Sequence, residues 1–369
     1  MDETNLGEKA KQMLMDFVPM MDEKLKKYWE EEINNNFGFN ETQKELVKKM
    51  LLHASEHNLR VAKRLRGAFV CQAYMLDKNS KNQELKKSKQ YEEVWKVAEG
   101  VELVHTALLM HDDMTDMDKV RRGGPTTQEF FANGDIHYGE SMAVYVGDTV
   151  LCLGFERVLA SNFESEKIKR VSKQLLRGVT NTALGQSYDV SLPKLGEITE
   201  EKVMSLHRAK TAIYTYENPL LIGGLLGGVS DEVLGILKDY AVDGGIAFQL
   251  QDDVLGVFGD EDKTGKSANS DLLQGKVTLL IVKTLELGTE EQKKDLLKVW
   301  GKLKAKNEEI ERAKIAIKES GAYGYSVRVA REYAERAANT AAKLRMMDVN
   351  LESVDFIEGI ARYMVERDV

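Results

Sequence analysis

The sequence predicts an all-α protein with a single domain, and three observations carry that reading. Only four prolines (Pro19, Pro125, Pro193 and Pro219) interrupt 369 residues, so long helices can run almost unbroken. Sustained apolar alternation is missing, and turn signals do not recur every ten residues or so as in an all-β chain. Apolar residues instead follow helical spacing between short breaks such as GDIHYGE, SNFESEK, SLPKLGEITEEK, GGVSDE and ESGAYGY.

Composition narrows the class. Hydrophobic residues make up 43% and charged residues 30%, the balance of a folded chain with a sizeable core. A net charge of −8 and a pI near 5.5 exclude general nucleic-acid binding, which needs a basic face. They leave room for a local anion site, because lysines and arginines can gather within an acidic protein. Cys71 and Cys152 both sit in apolar runs and are expected as buried free thiols in a reducing compartment. The charged N-terminus has no signal-peptide core, and no apolar run reaches the roughly 20 residues of a membrane span. A cytoplasmic protein without stable membrane anchoring is expected.

Residues 1–50 read as two amphipathic helices broken near INNNFGFN, with an N-cap at Asn40 or Thr42. Residues 1–44 form an N-terminal helical extension to a core at about 45–345, within one domain spanning 1–369. The lysine-rich stretch 78–93 reads as an exposed loop or helix tip. Met110, Met114 and Met142 are expected in the core, and Gly147-Asp148 in helix packing.

The run VELVHTALLM leads directly into HDDMTDMDKVRRGGPT, with four aspartates in seven positions. On a helix, His105, Leu108, Asp112 and Asp116 share one stripe. Two carboxylates one turn apart repel unless a cation sits between them. Hard oxygen ligands on a rigid helix suit Mg²⁺, which completes its shell with water and substrate phosphate. Asp113 points about 100° away and takes an outer-shell role; Asp118 is expected at the surface. No register gives an EF-hand loop. Arg121 and Arg122 add forked donors for phosphate oxygens.

A second apolar helix, GGIAFQLQDDVLGVFGDEDK, also runs into adjacent acids. Asp252 and Asp253 repeat the earlier pair, with Gln249 about one turn before them. Gly256 stands where a third acid would match the first cluster, and Asp260 follows. Lys266 and Lys276 supply positive charge around Asp271. Two such clusters in one helical chain point to a shared site in which several Mg²⁺ ions surround a diphosphate.

With these motifs in this order, the chain resembles the trans-isoprenyl diphosphate synthases over roughly residues 45–345. Asp112-Asp113-Met114-Thr115-Asp116 matches the family's first aspartate-rich motif, and Arg121-Arg122-Gly123 follows at the family's distance. Gly185-Gln186 with Asp189 matches its G-Q-x-x-D motif, Lys210-Thr211 its K-T motif, and Asp252-Asp253 the second aspartate-rich motif. The resemblance implies an isoprenoid-synthase helical bundle around a central active-site cavity, about three Mg²⁺ ions per site and a homodimer.

It further implies that Asp112, Asp116 and Asp252 hold the metal, with Asp113 and Asp253 in the outer shell. Arg121, Lys210 and Lys266 would contact the allylic diphosphate, and Lys63, Arg66, His105 and Arg122 isopentenyl diphosphate. Thr211 and Gln249 would line the reacting centre. The activity implied is head-to-tail condensation of isopentenyl diphosphate with an allylic prenyl diphosphate. Where the family has Gly-Gly-Lys-Arg-x-Arg-Pro, this chain has Val61-Ala62-Lys63-Arg64-Leu65-Arg66-Gly67, so the charges survive without the loop's glycines.

Product length is expected to follow the residues four and five before the first motif, Leu108 and Ala107. Ala107 lacks the ring that stops growth at farnesyl, so geranylgeranyl diphosphate or a longer polyprenyl diphosphate is expected. Three other readings are a farnesyl diphosphate synthase, if Leu108 or deeper side chains close the cavity; a class I terpene cyclase, whose second metal motif is not present in QLQDDVLGVFGDEDK; and a non-catalytic subunit of a heteromeric synthase, which would commonly have lost one cluster.

Overall fold

The computed structural model describes residues 3–35, 37–77, 88–194, 196, 198–259 and 269–366. The chain runs through α1 (Glu3–Glu32), α2 (Glu41–Leu59), α3 (Leu65–Tyr74) and α4 (Lys89–Thr115), then a short hairpin. After it come α5 (Thr127–Ala132), α6 (Ile136–Leu159), α7 (Ser165–Ser191) and α8 (Glu200–Leu206). A π-helical segment, His207–Glu217, leads into α9 (Asn218–Gly227) and α10 (Asp231–Phe258). The chain ends with α11 (Ser270–Gln274), α12 (Leu279–Leu287), α13 (Glu290–Val299), α14 (Asn307–Glu319), α15 (Ala322–Ala342) and α16 (Leu351–Val365).

Local chemistry sets the helix starts. Asn40 caps α2 in a reciprocal box with Gln43, Ser88 caps α4, and Ser230 caps α10, each satisfying backbone donors left over at a helix N-terminus. Of the lysine-rich stretch, residues 78–87 lie outside the described residues, and from Lys89 onward it is the first turn of α4. Residues 97–104 of α4 are buried without a break, the signature of a helix packed on all sides.

The long helix α4 lies along α6. The two come close because Gly100 and Gly154 carry no side chain. A Cβ on Gly154 would sit 2.7 Å from Val104 and one on Gly100 2.6 Å from Val158. Gly147 does the same for His111, whose ring would lie 2.3 Å from an added Cβ, so its expected packing role holds. In parallel, α10 packs on α15 and on the π-helical segment, while α1 packs on α16. Both acid-tipped helices are thereby anchored along their length.

Some expectations need correction. Cys71 is buried, but Cys152 is exposed, because its side of α6 has no packing partner within the chain. Met110 and Met142 are core residues, whereas Met114 is only half-buried near the end of α4. A small antiparallel pair, β1 (Val120–Arg121) with β2 (Gly124–Pro125), forms where no strand was expected. Arg122 (φ 51°) and Gly123 (φ 76°) make its two-residue turn, both left-handed as such tight hairpins require.

Candidate active site

Both acidic clusters lie at the C-terminal ends of their helices. Asp116 terminates α4, its N–H donating to the Asp112 carbonyl at 2.8 Å, and Asp252 and Asp253 precede the end of α10 at Phe258. A helix C-terminus already carries partial negative charge, so carboxylates there are tolerated only with cations close by. The structure supplies lysines: Lys210 Nζ is 3.4 Å from Asp112 and 2.7 Å from Asp189, and Lys276 Nζ is 2.7 Å from Asp116 and 3.4 Å from Asp271. Burial and the neighbouring Asp112 push the Asp116 carboxyl above its ordinary range. Burial alone would lower Lys210, but Asp112 and Asp189 overcome it and raise its pKa to about 12.

Asp113 turns away from this cleft, as its helical position predicts. It is fully buried and accepts from Arg121 Nε at 2.6 Å and from Arg121 Nη2. On its other side Asp113 Oδ2 is 3.7 Å from His57 Nε2. The Arg121 guanidinium is thus held by Asp113, with Asp112 3.9 Å away. Asp118 is not a surface acid: it accepts from Arg121 and, at 2.7 Å, from Gln274, because the hairpin folds it back under α4.

The second cluster is wired to the π-helical segment. Thr211 Oγ1 donates to Gln249 Oε1 at 2.7 Å, and Gln249 Nε2 donates to Asp253 Oδ1 at 2.8 Å. His207 Nε2 lies 3.1 Å from Asp253 Oδ2. Widened π turns often mark functional sites, and here the wider turn carries Lys210 and Thr211 together. Gly185 lets α7 approach closely, since a Cβ there would lie 2.9 Å from Lys210 Cα. Gln186 and Asp189 pair between helices, to Thr115 and to Lys210. At Gly256, an added Cβ would meet Asp271 Oδ2 at 2.2 Å. A carboxylate from α11 therefore occupies the space that a third acid of this motif would fill. Lys266 and Asp260 lie outside the described residues.

Beside the acids lies a concentrated positive pocket. Burial lowers the pKa of Arg66, whose Nη2 donates to Thr215 at 2.6 Å and whose guanidinium lies over the Tyr214 ring. Burial and then the charge on Arg64 bring Arg122 down to about 10. His105 is driven well below its ordinary value by burial, then by Arg66, Arg122, Arg64 and Arg121. Cations that depress one another in this way form a site seeking an anion. Lys63 stands exposed on the same loop. Arg60 ties this loop to the hairpin, donating to the carbonyls of Arg121 and Pro125, each at 2.9 Å.

The donor set fits Mg²⁺: carboxylate oxygens on rigid helices, at helix ends that favour cations. Among the described residues no three His, Cys, Asp or Glu side chains converge on one point. Asp112, Asp116 and Asp252 could therefore hold ions only with water and diphosphate oxygens completing the shell, which is how Mg²⁺ is ordinarily bound. At the positions expected to floor the cavity, Ala107 is fully buried and Leu108 half-buried.

His57 and His207 belong to no motif in the sequence, yet they contact the clusters at Asp113 and Asp253. Asp271 and Lys276 were noted only as neighbours of each other. Nothing local signals these contacts, because each partner comes from a distant helix.

Fold and site together define the helical class of prenyl diphosphate enzymes. The chain belongs to the polyprenyl synthetase family, whose model matches residues 48–317. It is 31% identical over 279 residues to a geranylgeranyl diphosphate synthase of Saccharolobus solfataricus, covering 75% of this chain and 80% of the relative. With a geranylfarnesyl diphosphate synthase of Aeropyrum pernix it shares 32% identity, over 73% of this chain and 82% of that one. A solved geranylgeranyl pyrophosphate synthase from Corynebacterium glutamicum, complexed with isoprenyl diphosphate and magnesium, superposes with a TM-score of 0.84 at 27% identity. That match covers 96% of this chain and 99% of the other. The protein is a trans-prenyltransferase of this family.

Proposed function

We propose that the protein condenses isopentenyl diphosphate with an allylic prenyl diphosphate to make geranylgeranyl diphosphate or a longer polyprenyl diphosphate. The observation that carries this reading is the pairing of two acid-tipped helices with the pocket around Arg66, His105 and Arg122. One place suits a metal-bound diphosphate and the adjoining one a second diphosphate. Bound Mg²⁺, about three ions per site, would neutralise the departing diphosphate.

Lys210, Lys276 and, beyond the described residues, Lys266 would add charge on the allylic diphosphate, with Arg121 held ready by Asp113. As the allylic C–O bond breaks, its electron pair leaves with diphosphate. The isopentenyl double bond then forms the new C–C bond, and a proton passes to the departing diphosphate. Thr211 and Gln249 would orient polar groups beside the cation, while buried apolar side chains exclude water. Lys63, Arg66, His105 and Arg122 would hold isopentenyl diphosphate.

A homodimer is part of this reading. Tyr138, Tyr145, Cys152 and Leu159 recur every seven residues on α6, all exposed, and Leu176 and Leu184 are exposed on α7. An apolar stripe of that kind fits a second copy of the chain. We take residues 1–369 as one domain, supported by the packing of α1 on α16. A cytoplasmic place fits the free cysteines; among the described residues no helix is long and apolar enough to cross a membrane.

Incubation with isopentenyl diphosphate, an allylic diphosphate and Mg²⁺, followed by mass identification of the dephosphorylated alcohols, tests the proposal. A prenol of geranylgeranyl length or above supports it. A farnesyl product overturns the length assignment, and no prenol overturns the catalytic one.

A further inference from the structure

Helix α1 lies wholly before the matched segment 48–317, yet it reaches the loop that carries Lys63 and Arg66. Met21, Leu25 and Trp29 of α1 are buried, and between them Asp22 Oδ1 accepts from Arg64 Nε at 2.7 Å. Arg64 is the residue before α3, with φ 50° and ψ 32°. A non-glycine residue held left-handed needs its surroundings to impose that shape.

Three groups do so. Besides Asp22, Arg64 Nη2 donates to the Asn58 carbonyl at 2.7 Å, and Nη1 lies 3.7 Å from Glu102. Asn58 is itself fixed from α1, since Trp29 Nε1 donates to its side chain at 2.9 Å. Both ends of the segment 58–64 are therefore held by the N-terminal helix. Val61 and Ala62 occupy the positions between, where glycines would have left the loop to find its own path.

We propose that Asp22 is a positioning residue for the isopentenyl diphosphate site, acting through Arg64 to set the backbone from which Lys63 and Arg66 project. The proposal rests on the reading that this pocket receives that diphosphate. Two effects of removing the Asp22 charge have opposite signs. By Coulomb's law alone, losing a nearby negative charge strengthens binding of an anion. Losing the anchor weakens it, because the basic side chains are no longer held in place. The Arg64 side chain is 1% exposed against 37% for Asp22, so the charge effect is screened by solvent while the anchored partner is not, and positioning wins.

The test is D22N in the full-length protein, with isopentenyl diphosphate binding followed by titration calorimetry and both KM values measured. We expect the Kd and KM for isopentenyl diphosphate to rise about five- to tenfold, part of the worth of a charge-assisted hydrogen bond because its loss reaches the site only through the loop. The KM for the allylic diphosphate and kcat should stay within about twofold. D22E should recover part of the loss. K24A removes another α1 ion pair, with Glu92 at 2.7 Å, and should leave isopentenyl diphosphate binding unchanged. Tighter binding by D22N, equal rises in both KM values, or the same loss in K24A would each overturn the proposal. If the wild type binds isopentenyl diphosphate and D22N binds it equally well, the role of Asp22 falls alone. If the wild type neither binds nor condenses it, the reading of the pocket falls first.

Discussion

Lys276 Nζ stands 2.7 Å from Asp116 Oδ2 while also reaching Asp271 at 3.4 Å. One ammonium thus joins the end of α4 to the chain that follows α10, drawing together two acidic clusters far apart in sequence. It is half-buried, and the surrounding carboxylates raise its pKa well above the ordinary lysine value despite desolvation.

Removing that charge leaves Asp112 and Asp116 facing each other with less compensation. Lys276→Met is expected to lower kcat/KM by about 10²- to 10³-fold, the usual scale for losing one preorganised electrostatic contact. Steady-state assays with saturating Mg²⁺ measure it. Activity within threefold of wild type would show that Lys276 only balances charge in the resting protein.

Gly185 sets the distance between α7 and the π-helical segment. In Gly185→Ala the new Cβ would press on Lys210 Cα at 2.9 Å and Lys210 Cβ at 3.0 Å, and backbone rather than a flexible tip must move. Displacing Lys210 from Asp112 and Asp189 should cost about 10- to 100-fold in kcat/KM, because small misplacements of aligned groups are expensive. Normal kinetics in this variant would show that the segment relaxes without moving its lysine.

Ala107 is fully enclosed on α4. Ala107→Phe should shorten the main product by at least one isoprene unit, seen by mass of the released alcohols. Overpacking would cost about 1–3 kcal/mol of stability, so a thermal melt accompanies the assay. An unchanged product in a folded variant removes Ala107 from the determinants of length.

Stability should fall on the acid side through buried histidines. Burial, then the neighbouring His57, lowers His53 from 6.5 to about 4, and burial also lowers His57 and His105. Between those pH values the unfolded chain binds protons that the folded one refuses. The stability from keeping His53 neutral is therefore full above pH 6.5 and is lost as pH falls toward 4. Between pH 7 and pH 5 His53 alone contributes about 2 kcal/mol to that loss. Melting temperature measured at pH 7 and pH 5 should drop, and His53→Phe, which keeps the stacking on Phe130, should reduce the drop. An identical pH slope in the variant would rule His53 out as a source.

If α6 and α7 meet a second copy, Leu184→Asp should shift the mass in light scattering from two chains to one. A wild-type protein of single-chain mass would remove the homodimer from the reading.

Much of this was legible in the sequence. Helical spacing placed Asp112 and Asp116 on one stripe and turned Asp113 away, and the structure keeps that geometry because a rigid helix transmits periodicity directly into direction. The Asn40 cap was readable for the same reason: it depends on residues three positions apart. Cys152 was misjudged because an apolar neighbourhood in sequence does not say which side of α6 is covered. Asp118 was misjudged because a two-residue hairpin, with Arg122 left-handed, folded it inward. What only the tertiary structure decided is which distant charge meets which: Lys276 with Asp116, His207 with Asp253, Asp271 in the space at Gly256, and Asp22 with Arg64. Those pairings are fixed by how whole helices pack, where contacts form between residues dozens of positions apart, and no local pattern encodes such a distance.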